Sequence, residues 1–332
     1  MTSDEGSQPP APAPRPGGSI FTIEGRAAPG LFVVGWLAVV LGAGLLFVGF
    51  QAPRTLTASL VILGGLILLS IGLIAAGGAQ AIERRARGAA YAGPSPFLVF
   101  AASVAISSLA ASLIGLAIRI TGGSSDSPVA SFLVLAAVQA TYLGVTRLLV
   151  VGTGALSWAD MGFTRRPREA ALDLAWGASF ALPIIGLTLI VAAVATTVVH
   201  QVPESPLPPT GTTVGLILNL LGGAVLVPFG EELIFRGVAT TAWRRAYGSQ
   251  RAIVQGALFF AAVHVLQVGG TGPEQAIGLA VVAFATRIPV SIALGWLFDL
   301  RRSIWASIGL HAAFNGILLV LAELSLRQGV PG

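Results

Sequence analysis

Residues 57–79 read TASLVILGGLILLSIGLIAAGGA and contain no charged side chain. The stretch has neither the alternation of a half-buried strand nor the polar face of a surface helix. It is longer than the ~20 apolar residues a helix needs to cross a bilayer. Its glycines, Gly64-Gly65, Gly72 and Gly77-Gly78, suit close helix–helix approach in lipid. Outward from it the pattern recurs, at roughly 31–50, 97–120, 129–152, 170–199, 213–235, 252–268, 275–298 and 303–326. The expected fold class is therefore all-α: a polytopic integral membrane protein of about nine transmembrane helices. The fifth stretch is long and carries Pro183, where a kink is expected; the seventh is short before Gly269-Gly270.

Composition agrees. Of 332 residues, 55% are hydrophobic and only 10% charged, against about 25% charged in ordinary soluble domains. This excludes a soluble globular protein, a disordered chain and a charge-rich nucleic-acid binder. Every one of the 19 basic residues is Arg, and with 14 acids the net charge is +5. With no Cys, disulfides, Cys-ligated zinc and a thiol nucleophile are impossible, so any metal must sit on His and carboxylates.

The arginines cluster in alternate loops. Arg84, Arg85 and Arg87 follow the second stretch; Arg165, Arg166 and Arg168 the fourth; Arg236, Arg244, Arg245 and Arg251 follow or end the sixth; Arg301 and Arg302 the eighth. The opposite loops hold Arg54, Asp126, His200 with Glu204, and Glu274. The positive-inside rule puts the Arg-rich loops in the cytoplasm, the N-terminus inside and, with nine spans, the C-terminus outside a cytoplasmic (inner) membrane. Residues 1–29, with Pro9, Pro10, Pro12, Pro14 and Pro16, read as a disordered cytoplasmic tail. Residues 30–164 carry helices 1–4, and 165–326 form a second unit containing nearly all the polar residues of interest.

Ionisable groups at membrane depth are expensive and usually functional. The densest group is Phe229-Gly230-Glu231-Glu232-Leu233-Ile234-Phe235-Arg236. Glu232 and Arg236, four apart, share a helix face and can pair. Glu231 is turned ~100° away and faces another neighbour. His264 lies deep in an apolar helix, one turn after Phe260, and Asn315 shares a face with His311. His200 falls in an external loop and reads as solvated. Arg287, two residues before Pro289, reads as charge compensation for an acid, or as a substrate contact.

A carboxylate beside an imidazole can hold and deprotonate a water, while a second imidazole and an amide can stabilise an oxyanion. Alternatively, Glu231, His264 and His311 can bind one Zn²⁺ with an open position for water. Both describe peptide hydrolysis within a membrane. The sequence has no H-E-x-x-H, no G-x-S-x-G and no G-x-x-x-x-G-K-[ST], so zincin, serine-hydrolase and ATPase readings lack support.

Glu231-Glu232-x-x-x-Arg236, Phe260-x-x-x-His264 and His311-x-x-x-Asn315 resemble, in order, the three motifs of the CAAX prenyl protease 2-like and bacteriocin-processing (CPBP) intramembrane peptidases. The resemblance covers roughly residues 165–326. It implies an all-helical membrane endopeptidase with a cavity open to the cytoplasm. Glu231 and His264 would activate water, His311 and Asn315 would stabilise the oxyanion, and Glu232 and Arg236 would orient the site. It leaves open both a zinc ion and a metal-free glutamate mechanism. The partners it implies are the bilayer and a membrane-associated peptide or protein, prenylated CAAX-like substrates included. A non-catalytic scaffold or immunity-like binding protein is the alternative, and a proton-coupled transporter a further one. The helix boundaries conflict with the motifs at one point. With helix 6 ending near 235, Glu231 lies at the cytoplasmic edge, while His264 lies about 18 Å into a helix starting at 252.

Overall fold

The computed structural model describes residue 23 and residues 25–329, apart from 54, 164–165, 202–206 and 267. The Pro-rich tail, Arg54, Arg165 and Glu204 therefore lie outside the described residues. Among those described, each of the nine apolar stretches is a helix and no strand occurs. They are α1 Pro29–Gln51, α2 Leu56–Ala86, α3 Pro96–Ile120, α4 Pro128–Val151, α5 Pro167–Val199, α6 Thr213–Tyr247, α7 Ser249–Val265, α8 Pro273–Arg301 and α9 Ile304–Arg327. Local chemistry sets many of the starts. α1, α3, α4, α5 and α8 open on a proline, whose missing N–H costs nothing in a first turn. Thr55, Ser127 and Thr212 cap α2, α4 and α6, each hydroxyl accepting a backbone N–H.

Among the described residues eight helices are long and apolar enough to cross a membrane; α7, at 17 residues, is not. The count thus differs from nine by this one element. The molecule is an all-α polytopic membrane protein. Leu37, Val40, Phe47, Phe50, Leu182, Ile190 and Val198 are exposed on its outside. In water so large an apolar surface would drive association; facing acyl chains it costs nothing.

One expectation about helix shape is met and one is corrected. α5 breaks at Ser179-Phe180, between Ala178 and Ala181; Ser179 O is the carbonyl four residues before Pro183, which has no N–H to bond it, so the kink expected of Pro183 falls there. α6 does not end near 235 but runs to Tyr247. Arg236 did not stop it because this charge is buried and paired within the helix (below). The depth conflict disappears with it. Gly248, with φ +85°, makes the turn into α7. Glu231 lies 17 residues before that turn and His264 lies 16 after it, so the antiparallel hairpin sets them at one level.

α6 is the central helix. Leu233, Ile234, Phe235, Val238 and Ala239 are all sealed, and α3, α4, α7 and α9 pack around it. Two π-helical segments, Leu220–Leu226 and Leu233–Thr240, flank the short α-helical piece Val227–Glu232. Such widened turns recur at functional sites. The hydroxyls of Thr240 and Thr241 follow the π register, donating to the carbonyls of Phe235 and Arg236 five residues back. α9 is pressed on α5 where Gly177 meets the backbone at Ala306 and Gly309 meets that at Leu174; a Cβ at either would collide. This crossing fixes α9 two residues from His311.

The Arg-rich connectors meet at one end of the bundle. Arg85 donates to Thr153 O, and Arg245 to Ala155 O and to the Asp160 carboxylate at 2.7 Å. Arg244 and Arg302 both reach Asp299, at 3.5 and 3.2 Å. At the far end, Glu323 of α9 accepts from the backbone N–H of Thr210.

Candidate active site

α6 supplies three of the six side chains singled out in the sequence. Glu232 and Arg236 are sealed, at 0% and 1% side-chain exposure, and pair at 2.8 Å as their four-residue spacing requires. The guanidinium is fully engaged. Its second terminal nitrogen donates to Ser291 O and Oγ of α8, and its face lies 4.7 Å over the Phe260 ring of α7. Ser291 Oγ in turn donates to Ala257 O of α7. One buried cation thus ties α6, α7 and α8 together. The same Glu232 oxygen that meets Arg236 also meets His311 Nδ1 at 2.8 Å. That carboxylate, ionised opposite Arg236, can only accept, so Nδ1 of His311 carries a hydrogen and Nε2 points elsewhere.

His264 is fixed in a parallel way. Its Nδ1 lies 2.7 Å from Phe260 O, a carbonyl that can only accept, so this nitrogen is the donor and Nε2 is free. The Phe260 ring lies 4.4 Å from the His264 ring and 5.9 Å from the His311 ring, centroid to centroid, and walls both. The two free Nε2 atoms converge on one oxygen. Glu231 Oε2 is 3.8 Å from His311 Nε2 and 4.0 Å from His264 Nε2. These gaps are too long for direct hydrogen bonds, and one small polar molecule between the three can contact all of them. Glu231 and His264 keep 16% and 15% side-chain exposure, where the Glu232–Arg236 pair beneath has almost none. The site is open at its reactive layer and closed at its supporting layer.

The three donors do not fit zinc as placed. Two ligands on a tetrahedral ion at ~2.0–2.1 Å stand about 3.4 Å apart, and among the described residues no group of three His, Asp or Glu side chains is arranged to hold a metal ion. No step below is routed through Zn²⁺ on Glu231, His264 and His311.

Asn315 is held by a main-chain acceptor on α6. In the first π segment the N–H of Val227 bonds Gly222 O, five residues back. The next bond in that register would run from residue 228 to Gly223 O, but Pro228 has no N–H. Asn315 Nδ2 donates to this vacated carbonyl at 2.9 Å, which leaves its second N–H uncommitted.

Residues outside the six also shape the site. Gln139 and Tyr142 of α4 lie against Gly230, where any side chain would strike the Gln139 amide. Ser291 anchors Arg236. Each is an uncharged polar residue in a mostly apolar helix, a signal shared with ordinary packing; the spacing of Ser291 four residues after Arg287 is the one sequence sign of a common face.

Residues 213–317 match the family model described as Rce1-like, type II CAAX prenyl endopeptidase Rce1-like. The match begins with α6 and ends within α9, six residues beyond His311, so it contains all six side chains. No curated protein and no solved structure matches the chain.

Proposed function

We propose that this chain, Rce1-like over residues 213–317, is an intramembrane endopeptidase that cuts membrane-associated peptides with a water activated by Glu231. The supporting observation is the convergence of Glu231 Oε2 with two imidazole nitrogens, each imidazole locked through its other nitrogen. A water in that gap donates to Glu231 and to His264 Nε2. As its oxygen attacks the scissile carbonyl, Glu231 takes its proton and later passes it to the leaving amine. His311 in its imidazolium form keeps Nδ1–H on Glu232 and offers Nε2–H to the oxyanion, with the free N–H of Asn315 as second donor. Glu232 and Arg236 fix the His311 ring. The Arg-rich end of the bundle faces the cytoplasm of an inner membrane, by the positive-inside rule. Prenylated CAAX-type peptides are the substrate class to try first, because the matched family is described by them.

The test is cleavage of an internally quenched farnesylated CAAX-type peptide by purified protein. Glu231→Gln and His264→Ala should each lower kcat by roughly 100-fold or more. Undiminished cleavage by either variant, shown folded by its melting curve, would overturn the assignment. Elemental analysis, with activity measured before and after chelation, should show turnover independent of zinc; lost activity restored by zinc would place the ion in the gap.

A further inference from the structure

Arg287 stands at the midpoint of the 29-residue α8, the costliest depth for a charge facing lipid. Its place on the α7–α8 hairpin follows from three contacts. Ser249 Oγ bonds Asp299, a Cβ on Gly295 would touch Ile253 at 3.4 Å, and Ser291 Oγ bonds Ala257 O. These rungs step by four residues along each helix in opposite directions. The next rung sets Arg287 opposite Ala261, a sealed methyl one turn before His264. Arg287 therefore shares its face with Ser291, toward the site and away from lipid.

It has little else to bind. The guanidinium donates to the neighbouring Thr286 Oγ1 at 3.1 Å. Among the described residues no carboxylate lies within ion-pair distance of it. By contrast Arg236, on α6, pairs with Glu232, donates to Ser291 and lies over the Phe260 ring. A planar cation with five N–H groups, set at membrane depth beside the reactive gap and bound to one neutral hydroxyl, is complementary to a carboxylate.

We propose that Arg287 binds a carboxylate of the substrate peptide, so that the site selects peptides carrying this charge close to the bond being cut. The inference rests on the peptidase reading of the site and adds a specificity residue to it. The carboxylate is either the chain terminus or an acidic side chain. A mere counter-charge for Glu231 would instead affect every peptide alike.

The test uses four versions of the quenched farnesylated peptide: C-terminus free or amidated, and Glu or Gln next to the cut bond. Kinetics are measured with the unaltered protein, Arg287→Gln and Arg287→Lys. Removing the recognised carboxylate should lower kcat/KM by roughly 10- to 100-fold, mostly through KM, in the unaltered protein. It should cost R287Q almost nothing and R287K an intermediate factor. Whether amidation or the Gln replacement produces the loss names the source. Equal kcat/KM for all four peptides in the unaltered protein, or one common loss factor in R287Q, would overturn the proposal. Anisotropy with the same peptides on Glu231→Gln reads recognition without turnover, and Arg287→Gln added to it should erase the preference. No cleavage by any protein with the binding preference intact would count against the peptidase and leave Arg287 as a carboxylate site. Binding indifferent to the carboxylate would sink Arg287 itself.

Discussion

Glu231 and Glu232 are adjacent and chemically identical, yet the helix assigns them opposite fates. A turn of ~100° sends Glu232 into the bundle, onto Arg236 and His311, and leaves Glu231 facing a gap. Glu232→Gln should therefore act on stability as well as activity. It leaves Arg236 buried without its counter-charge, a change that costs about 3–5 kcal/mol. It also weakens the anchor of His311, whose Nδ1–H is left with a neutral acceptor in place of a charged one. Thermal unfolding in detergent should show a large loss for E232Q and a small one for E231Q, with activity lost in both. Equal melting temperatures for the two would contradict the division. This pairing was legible in the sequence, because four-residue spacing is a geometric rule. The locking of His264 by Phe260 O was not: a histidine whose partner is a main-chain carbonyl leaves no trace in side-chain spacing. Gln139, Tyr142 and Ser291 were invisible for a related reason. A lone amide or hydroxyl in an apolar helix looks the same whether it supports a site or a helix contact.

At the scale of elements, α6 differs most from its reading. Hydropathy treats a charge as the end of a span, and Arg236 is one only in the absence of Glu232. Pairing carried the helix on to Tyr247 and brought Glu231 level with His264. Its π segments could not be read at all, since a hydrogen-bond register of five in place of four is decided by what packs alongside. Pro228 nonetheless has a definite job within them: it vacates Gly223 O for Asn315. Pro228→Ala restores an N–H that competes for that carbonyl. The melting temperature should hold or rise, because proline is the worst helix former. Cleavage should fall by about 10-fold, part of the ~10²–10³ that one oxyanion donor is worth. Asn315→Ala should then cost less in the P228A background than alone. Full additivity of the two substitutions would disconnect Pro228 from Asn315.

For the whole molecule, the recurrence of apolar stretches was enough to give nine helices, and the rhythm of arginines grouped their ends. The contacts among Arg85, Thr153, Arg245, Asp160, Arg244 and Asp299 gather those ends at one pole. The chain contains no Cys, so single cysteines can be placed at will. Ala89→Cys and Gln250→Cys, exposed in or beside the Arg-rich connectors, should react with an impermeant maleimide only from the cytoplasmic side of oriented vesicles. Ser125→Cys and Thr213→Cys should react only from the other. Labelling of both sets from one side would break the alternation. The site itself is assembled from unequal distances along the chain. Glu231 and His264 ride on one hairpin about Gly248 and can meet once α7 has been made. His311 and Asn315 come from the last span, α9, which packs on α5 and carries His311 to Glu232. A chain emerging from the ribosome builds from its N-terminus. If the site works as proposed, a nascent copy can hold the water-activating pair while lacking the oxyanion donors, and proteolytic competence is acquired only with the final helix.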